Sequence, residues 1–102
     1  MKNLMLIAHA DVKQALADTL RNLEQVSDFT FTNIESHSVQ SEYDTALFAR
    51  DRVVGYTPQV RVDILLHDAD VDDVLQALRA AGCGLAGCAM YQITAVEKQG
   101  SL

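Results

Sequence analysis

The sequence predicts a ferredoxin-like α+β domain of order βαββαβ, the split-βαβ plan in which an antiparallel four-stranded sheet carries two helices on one face. Three observations predict it. Apolar or alternating runs mark four strands, two stretches of helical period lie between them, and the chain echoes itself. In that echo Leu6-Ile7-Ala8-His9-Ala10-Asp11-Val12 is answered by Leu65-Leu66-His67-Asp68-Ala69-Asp70-Val71, and each copy runs into an Ala/Leu helix. The chain therefore reads as two strand-helix-strand halves.

Leu4-Met5-Leu6-Ile7-Ala8 is a short continuous apolar run without helical period, as expected of a strand covered on both faces. Asp11 then offers a helix N-cap, with Gln14 three residues on as its capping-box partner. Val12, Ala15, Leu16, Leu20 and Leu23 follow at helical spacing, and Ser27-Asp28 ends that helix. From Phe29 to Val39 the chain is rich in β-branched and aromatic residues, with Phe29 and Phe31 on one face and Thr30, Thr32 and Ile34 on the other. Gln40 to Arg52 is polar and aperiodic and reads as a long loop. Beyond Pro58, which cannot donate to a ladder, Val60, Val62, Ile64 and Leu66 alternate with Arg61, Asp63, Leu65 and His67 in a third strand. Asp70 caps a second helix with Val71, Val74, Leu75 and Leu78 on one face, stopped by Gly82 and Gly84. Met90 to Val96 forms the last strand. Residues 1–97 are thus one domain, and 98–102 are a frayed tail.

On this plan the first and third strands are expected to be neighbouring, parallel and central. His9 and His67 would then emerge side by side at one edge of the sheet. A chain of 102 residues buries only roughly 60–70% of its unfolded surface, so the sheet face without helices is expected to meet further copies of the chain.

Fourteen acidic against eight basic residues give a net charge of -6, the wrong sign for a protein that neutralises phosphates. Nucleic acid and anionic membrane surfaces are therefore not expected partners. The N-terminal apolar run is too short for a signal-peptide core or a membrane span, which leads to the expectation of a cytoplasmic protein without direct membrane insertion. Cys83 and Cys88 would close only a tiny loop if bonded, and both are expected to be reduced.

Several stretches resemble the PII signalling proteins and their PII-like relatives. They are Val53-Val54-Gly55-Tyr56-Thr57-Pro58-Gln59-Val60-Arg61-Val62-Asp63-Ile64, the helix Val71-Asp72-Asp73-Val74-Leu75-Gln76-Ala77-Leu78, and Gly84-Leu85-Ala86-Gly87 ahead of a final strand ending Ala95-Val96-Glu97. They match the PII pattern of an extended Val-Val segment, a Pro, an alternating strand, a helix, a glycine-containing phosphate loop and a closing Val-Glu. More narrowly, the chain is similar to small PII-like proteins, some of them encoded beside heavy-metal efflux pumps. The resemblance implies a trimer with its sheets turned inward, ligand sites in the clefts between subunits, and a mobile loop between the second and third strands, here residues 40–52, that engages a membrane transporter or an enzyme. It also implies that Gly84 and Gly87 form a backbone anion nest and that Gln40 matches the residue that helps hold the nucleotide's magnesium.

The departures are as specific as the match. The two phosphate-holding lysines of the PII glycine loop fall on Leu85 and Met90, whose neutral side chains cannot replace cationic donors, which puts ATP binding in the PII manner in doubt. The modifiable loop tyrosine aligns with Phe48, although Tyr43 lies nearby, and the glycine-rich start of the loop reads Ser36-His37-Ser38-Val39-Gln40.

Among candidate ligands, His9 and His67 read either as imidazole donors to a divalent ion such as Zn²⁺, Cu²⁺ or Ni²⁺, completed by Asp68 or a neighbouring subunit, or as polar edge residues. The second reading is the simpler, since only two of the four usual ligands are placed. Cys83 and Cys88, spaced Cys-x₄-Cys around a Gly-rich turn, read as ordinary buried residues, or as a soft-metal or thiol-switch site. His37 with Glu35 and Glu42 reads as a solvated strand end. Asp68, Asp70, Asp72 and Asp73 lack the turn glycine and terminal Glu of a calcium loop, and they suit a helix N-terminus instead. No nucleophile-base constellation or Walker or Rossmann glycine pattern is present, so an enzyme is not expected. The expected function is a non-enzymatic sensor or adaptor for a small ligand or divalent metal, and the alternative is a metal-buffering or metal-delivery protein using His and Cys donors.

Overall fold

The computed structural model describes residues 1–37, 56–82 and 89–102. Four strands, β1 (Lys2–His9), β2 (Phe29–Ser36), β3 (Thr57–Leu66) and β4 (Met90–Ala95), form one sheet in the order β2-β3-β1-β4. Helix α1 (Lys13–Arg21) follows β1, and α2 (Val71–Ala80) follows β3. Every neighbouring pair is antiparallel. Since β3 lies between β1 and β2, α1 crosses over an intervening strand, and the arrangement is ferredoxin-like.

Alternation along the strands decides which face is covered. Leu4, Leu6 and Ala8 on β1 stand opposite Ile64, Val62 and Val60 on β3, all essentially out of solvent. All of these but Val60 share one core with Leu16 and Leu20 of α1 and Val71, Val74, Leu75 and Leu78 of α2, so both helices lie on the same side of the sheet. Phe29 and Phe31 lean on that core from β2, their rings edge to face at 5.7 Å, as the alternation predicts. Pro58 sits where β3 runs past the end of the β1 ladder, which closes at His9 and Gln59, so its missing N–H interrupts no β1 pairing.

The two halves repeat closely. A three-residue 3-10 turn, Ala10–Val12 in the first half and Asp68–Asp70 in the second, leads from strand to helix. His9 and His67 precede these turns with matching backbones, φ/ψ -60/144 and -66/147. That is the echo in three dimensions.

Four local expectations are corrected. Asp11 is not the side-chain cap: the imidazole of His9 takes that place, and Gln14 reaches forward to Asp18 instead of back into a capping box. Asp70 does stand at the N-cap of α2, but its side chain makes no capping bond there. Helix α1 stops at Arg21, and the chain continues through turns that bring Leu23 and Val26 against the core. Ala15 faces solvent while Ala17 is buried.

The larger correction concerns direction. β1 and β3 are neighbouring and central, as expected, but antiparallel. A strand that returns by hairpin from β2 must run against it, and β2 runs parallel to β1 because α1 brings the chain back to the starting end.

Candidate functional site

Antiparallel pairing sorts the candidate residues into two ends of the sheet. At one end lie His9, closing β1, Ser36 and His37 leaving β2, Tyr56 and Thr57 entering β3, and Met90 starting β4 opposite Ile7. Lys2, Leu66, His67 and Asp68 lie at the other end. His9 is paired with Gln59, eight residues before His67, so the two histidines are separated by about 25 Å of strand. They cannot share a metal ion within one chain, and the expectation of a side-by-side pair is overturned.

Each has local employment of its own. His9, only 13% exposed at its side chain, accepts the Asp11 backbone N–H at Nδ1, 3.1 Å away, with the Asp11 carboxylate 3.7 Å from the same nitrogen. A neutral imidazole that accepts at Nδ1 carries its proton on Nε2, leaving neither nitrogen free to ligate while the cap holds. His67 makes no such cap and is exposed. Asp68 is held by the N-terminal ammonium at 2.8 Å, with Lys2 at 4.0 Å, and the hydrogen bond from that ammonium keeps its carboxyl below its ordinary range. Among the described residues no group of three or more His, Cys, Asp or Glu is arranged to hold a metal. Gln40, Cys83, Gly84, Gly87 and Cys88 lie outside the described residues, as does the whole of the 40–52 segment with its flanks 38–39 and 53–55. Segments 38–55 and 83–88 nevertheless join the sheet at the His9 end, through His37 and Tyr56 and through Ala89.

That same corner holds a cleft of about 340 Å³, lined by Asn33, Ile34 and Glu35 from β2, by Tyr56, Pro58 and Gln59 facing them, and by Ala10. His37 Nε2 is 3.3 Å from Glu35 Oε1, and the His37 and Tyr56 rings lie 5.7 Å apart. The Ser36 hydroxyl donates to the Gln59 amide oxygen across the strand pair. Sequence reading picked out Glu35 and His37 but not Asn33, Tyr56 or Gln59, which reach them only through the register Glu35 to Pro58 and Ile34 to Gln59.

The face without helices carries a second polar arrangement that the sequence did not announce. Asp63 receives the Arg61 guanidinium through both Nε and Nη2, at 3.1 Å each, and the Asn3 amide at 3.1 Å. Burial pushes the Asp63 carboxyl up, but the Arg61 and Asn3 hydrogen bonds and the Arg61 charge outweigh it and hold the group below its ordinary value. Met5, beside this cluster on β1, is 8% exposed, while Met90 on the edge strand is 54% exposed. The alternation did place Arg61 and Asp63 on one face; what was not readable was that Asn3 would stand close enough to join them.

No match was found among curated proteins. Among solved structures the chain is similar to a crystal structure of a DUF3240 family protein from Shewanella baltica OS155, with 27% sequence identity and a TM-score of 0.75 over 99% of this chain and 94% of that one. The family model for DUF3240, a protein of unknown function, matches residues 1–102, and the chain belongs to that family.

Proposed function

We propose that this protein is a non-enzymatic, PII-like regulatory adaptor. As a homotrimer in the cytoplasm it senses a small ligand or a divalent metal at a cleft between subunits. It then signals to a transporter, such as a metal-efflux system, or to another partner through residues 40–52. The observation that carries this reading is topological: both long connections, 38–55 and 83–88, attach at one end of the sheet, beside His9 and the β2-β3 cleft. Ligand contacts from one connection can therefore bias the order of the other. For a metal, the donors that remain after His9 and His67 separate are the thiols of Cys83 and Cys88.

The test is a thermal-shift screen of ATP and divalent transition metals, combined with limited proteolysis across 38–55. A ligand at 100 times its Kd stabilises by about 2.7 kcal/mol. The expected result is a small shift with ATP, a larger one with a transition metal, and slower cleavage of 38–55 when the ligand is bound. Metal uptake without any change in cleavage identifies a metal buffer instead. No shift with any of these probes and no protection removes the sensing role.

A further inference from the structure

The β2-β3 cleft has a chemical bias of its own. Ala10 and Pro58 supply apolar wall, Tyr56 an aromatic ring and Asn33 a side-chain amide on the face that Glu35 shares, while Ile34 and Gln59, paired on the opposite face, border the cleft. Among the described residues that line it, Glu35 is the only formally charged one, and none is Lys or Arg. One Glu35 oxygen, Oε1, is 3.3 Å from His37, and the other meets no protein donor among the described residues. The volume, about 340 Å³, suits a molecule at the small end of ligand size.

We propose that this cleft binds a small organic cation, an ammonium or guanidinium group on an apolar body, with Glu35 as its counter-ion and Tyr56 as its aromatic wall. An anion entering here meets Glu35 with no Lys or Arg among the described lining residues to answer it. A neutral ligand of the same shape can donate a hydrogen bond to the carboxylate but brings no opposite charge to offset the water it displaces. A cation supplies both bond and charge: it donates to Glu35 and lies within reach of the Tyr56 ring face, while its body covers Ala10 and Pro58. The chain's net charge of -6 favours the approach of cations over anions. The binding step stands alone, whereas its consequence rests on the regulatory reading above, because segment 38–55 joins the sheet at His37 and Tyr56.

The probes are phenethylamine and its near-isosteres 2-phenylethanol and phenylacetate, titrated into the full chain and followed by amide NMR. Phenethylamine is expected to give saturable shifts at 33–35 and 56–59, 2-phenylethanol to bind about tenfold more weakly, and phenylacetate not to bind, as loss of a charged hydrogen bond implies. Glu35→Gln should weaken phenethylamine by about tenfold and leave 2-phenylethanol unchanged, and Tyr56→Leu should weaken both. Equal affinity for all three probes, phenethylamine binding indifferent to Glu35→Gln, or shifts outside this corner overturn the proposal. Phenethylamine binding with unchanged cleavage of 38–55 keeps the cation site and removes the signalling role. Protection of 38–55 by ATP or metal with no response to phenethylamine keeps the signalling role and removes the cation site.

Discussion

Asn3 on β1 donates its amide to Asp63 on β3 at 3.1 Å, on a carboxylate that the Arg61 guanidinium also grips with two nitrogens. One cation and one anion thus neutralise each other in the middle of the sheet face that carries no helix. A face on which these two charges are already paired can be covered without stranding either of them.

The Asp63 carboxyl titrates below its ordinary range, so its hydrogen bonds stabilise the fold fully above the unfolded aspartate value, near 3.9. That contribution is lost as pH falls through the lowered folded value. Arg61→Gln should raise the Asp63 carboxyl titration measured by NMR and make the acid limb of the stability-pH profile shallower. An unmoved Asp63 titration contradicts the role given to Arg61.

His9 caps a 3-10 turn through Nδ1 and His67 caps nothing, although their backbones match. His9→Ala should cost about 1 kcal/mol in denaturant unfolding, with His9→Asn recovering part of it, whereas His67→Ala should fall within about 0.5 kcal/mol of the parent. Equal losses at the two positions contradict the asymmetry.

Gly82 follows α2 with φ +66, and no atom of the described residues lies within 4 Å of where its Cβ would be. Gly82→Ala should therefore cost about 1 kcal/mol through backbone conformation alone, with no packing clash to add. Gly100, with ordinary φ and equally open space, is the control and should tolerate Ala without loss.

Leu16 on α1 and Ile64 on β3 are both fully buried in the common core. Either changed to Ala should cost about 2–5 kcal/mol in denaturant unfolding, a large share of a small domain's stability.

Ile7 lies on the opposite face, between Arg61 on β3 and Met90 on β4. If copies of the chain cover this face, Ile7→Asp should leave the monomer fold intact by circular dichroism and convert a trimeric sedimentation profile into a monomeric one. A parent chain that already sediments as a monomer removes the trimer.

Among the described residues, the four strands and both helices are legible in the order of the chain, and the two 3-10 turns are not. The alternation from Val60 to Leu66, the helical stripe Val71, Val74, Leu75 and Leu78, and the echo around His9 and His67 are patterns over a few residues, and local backbone geometry writes them directly into the order of side chains. Strand direction is not of that kind. Whether β3 runs with β1 or against it depends on where the chain re-enters the sheet after a crossover and a hairpin, a relation between residues some sixty positions apart such as Asn3 and Asp63. Folding settled that relation by laying both helices over one apolar face. In doing so it parted His9 from His67, turned His9 into a cap, and gathered Asn33, Glu35, Tyr56 and Gln59 around a cleft that no short stretch of the chain spells out.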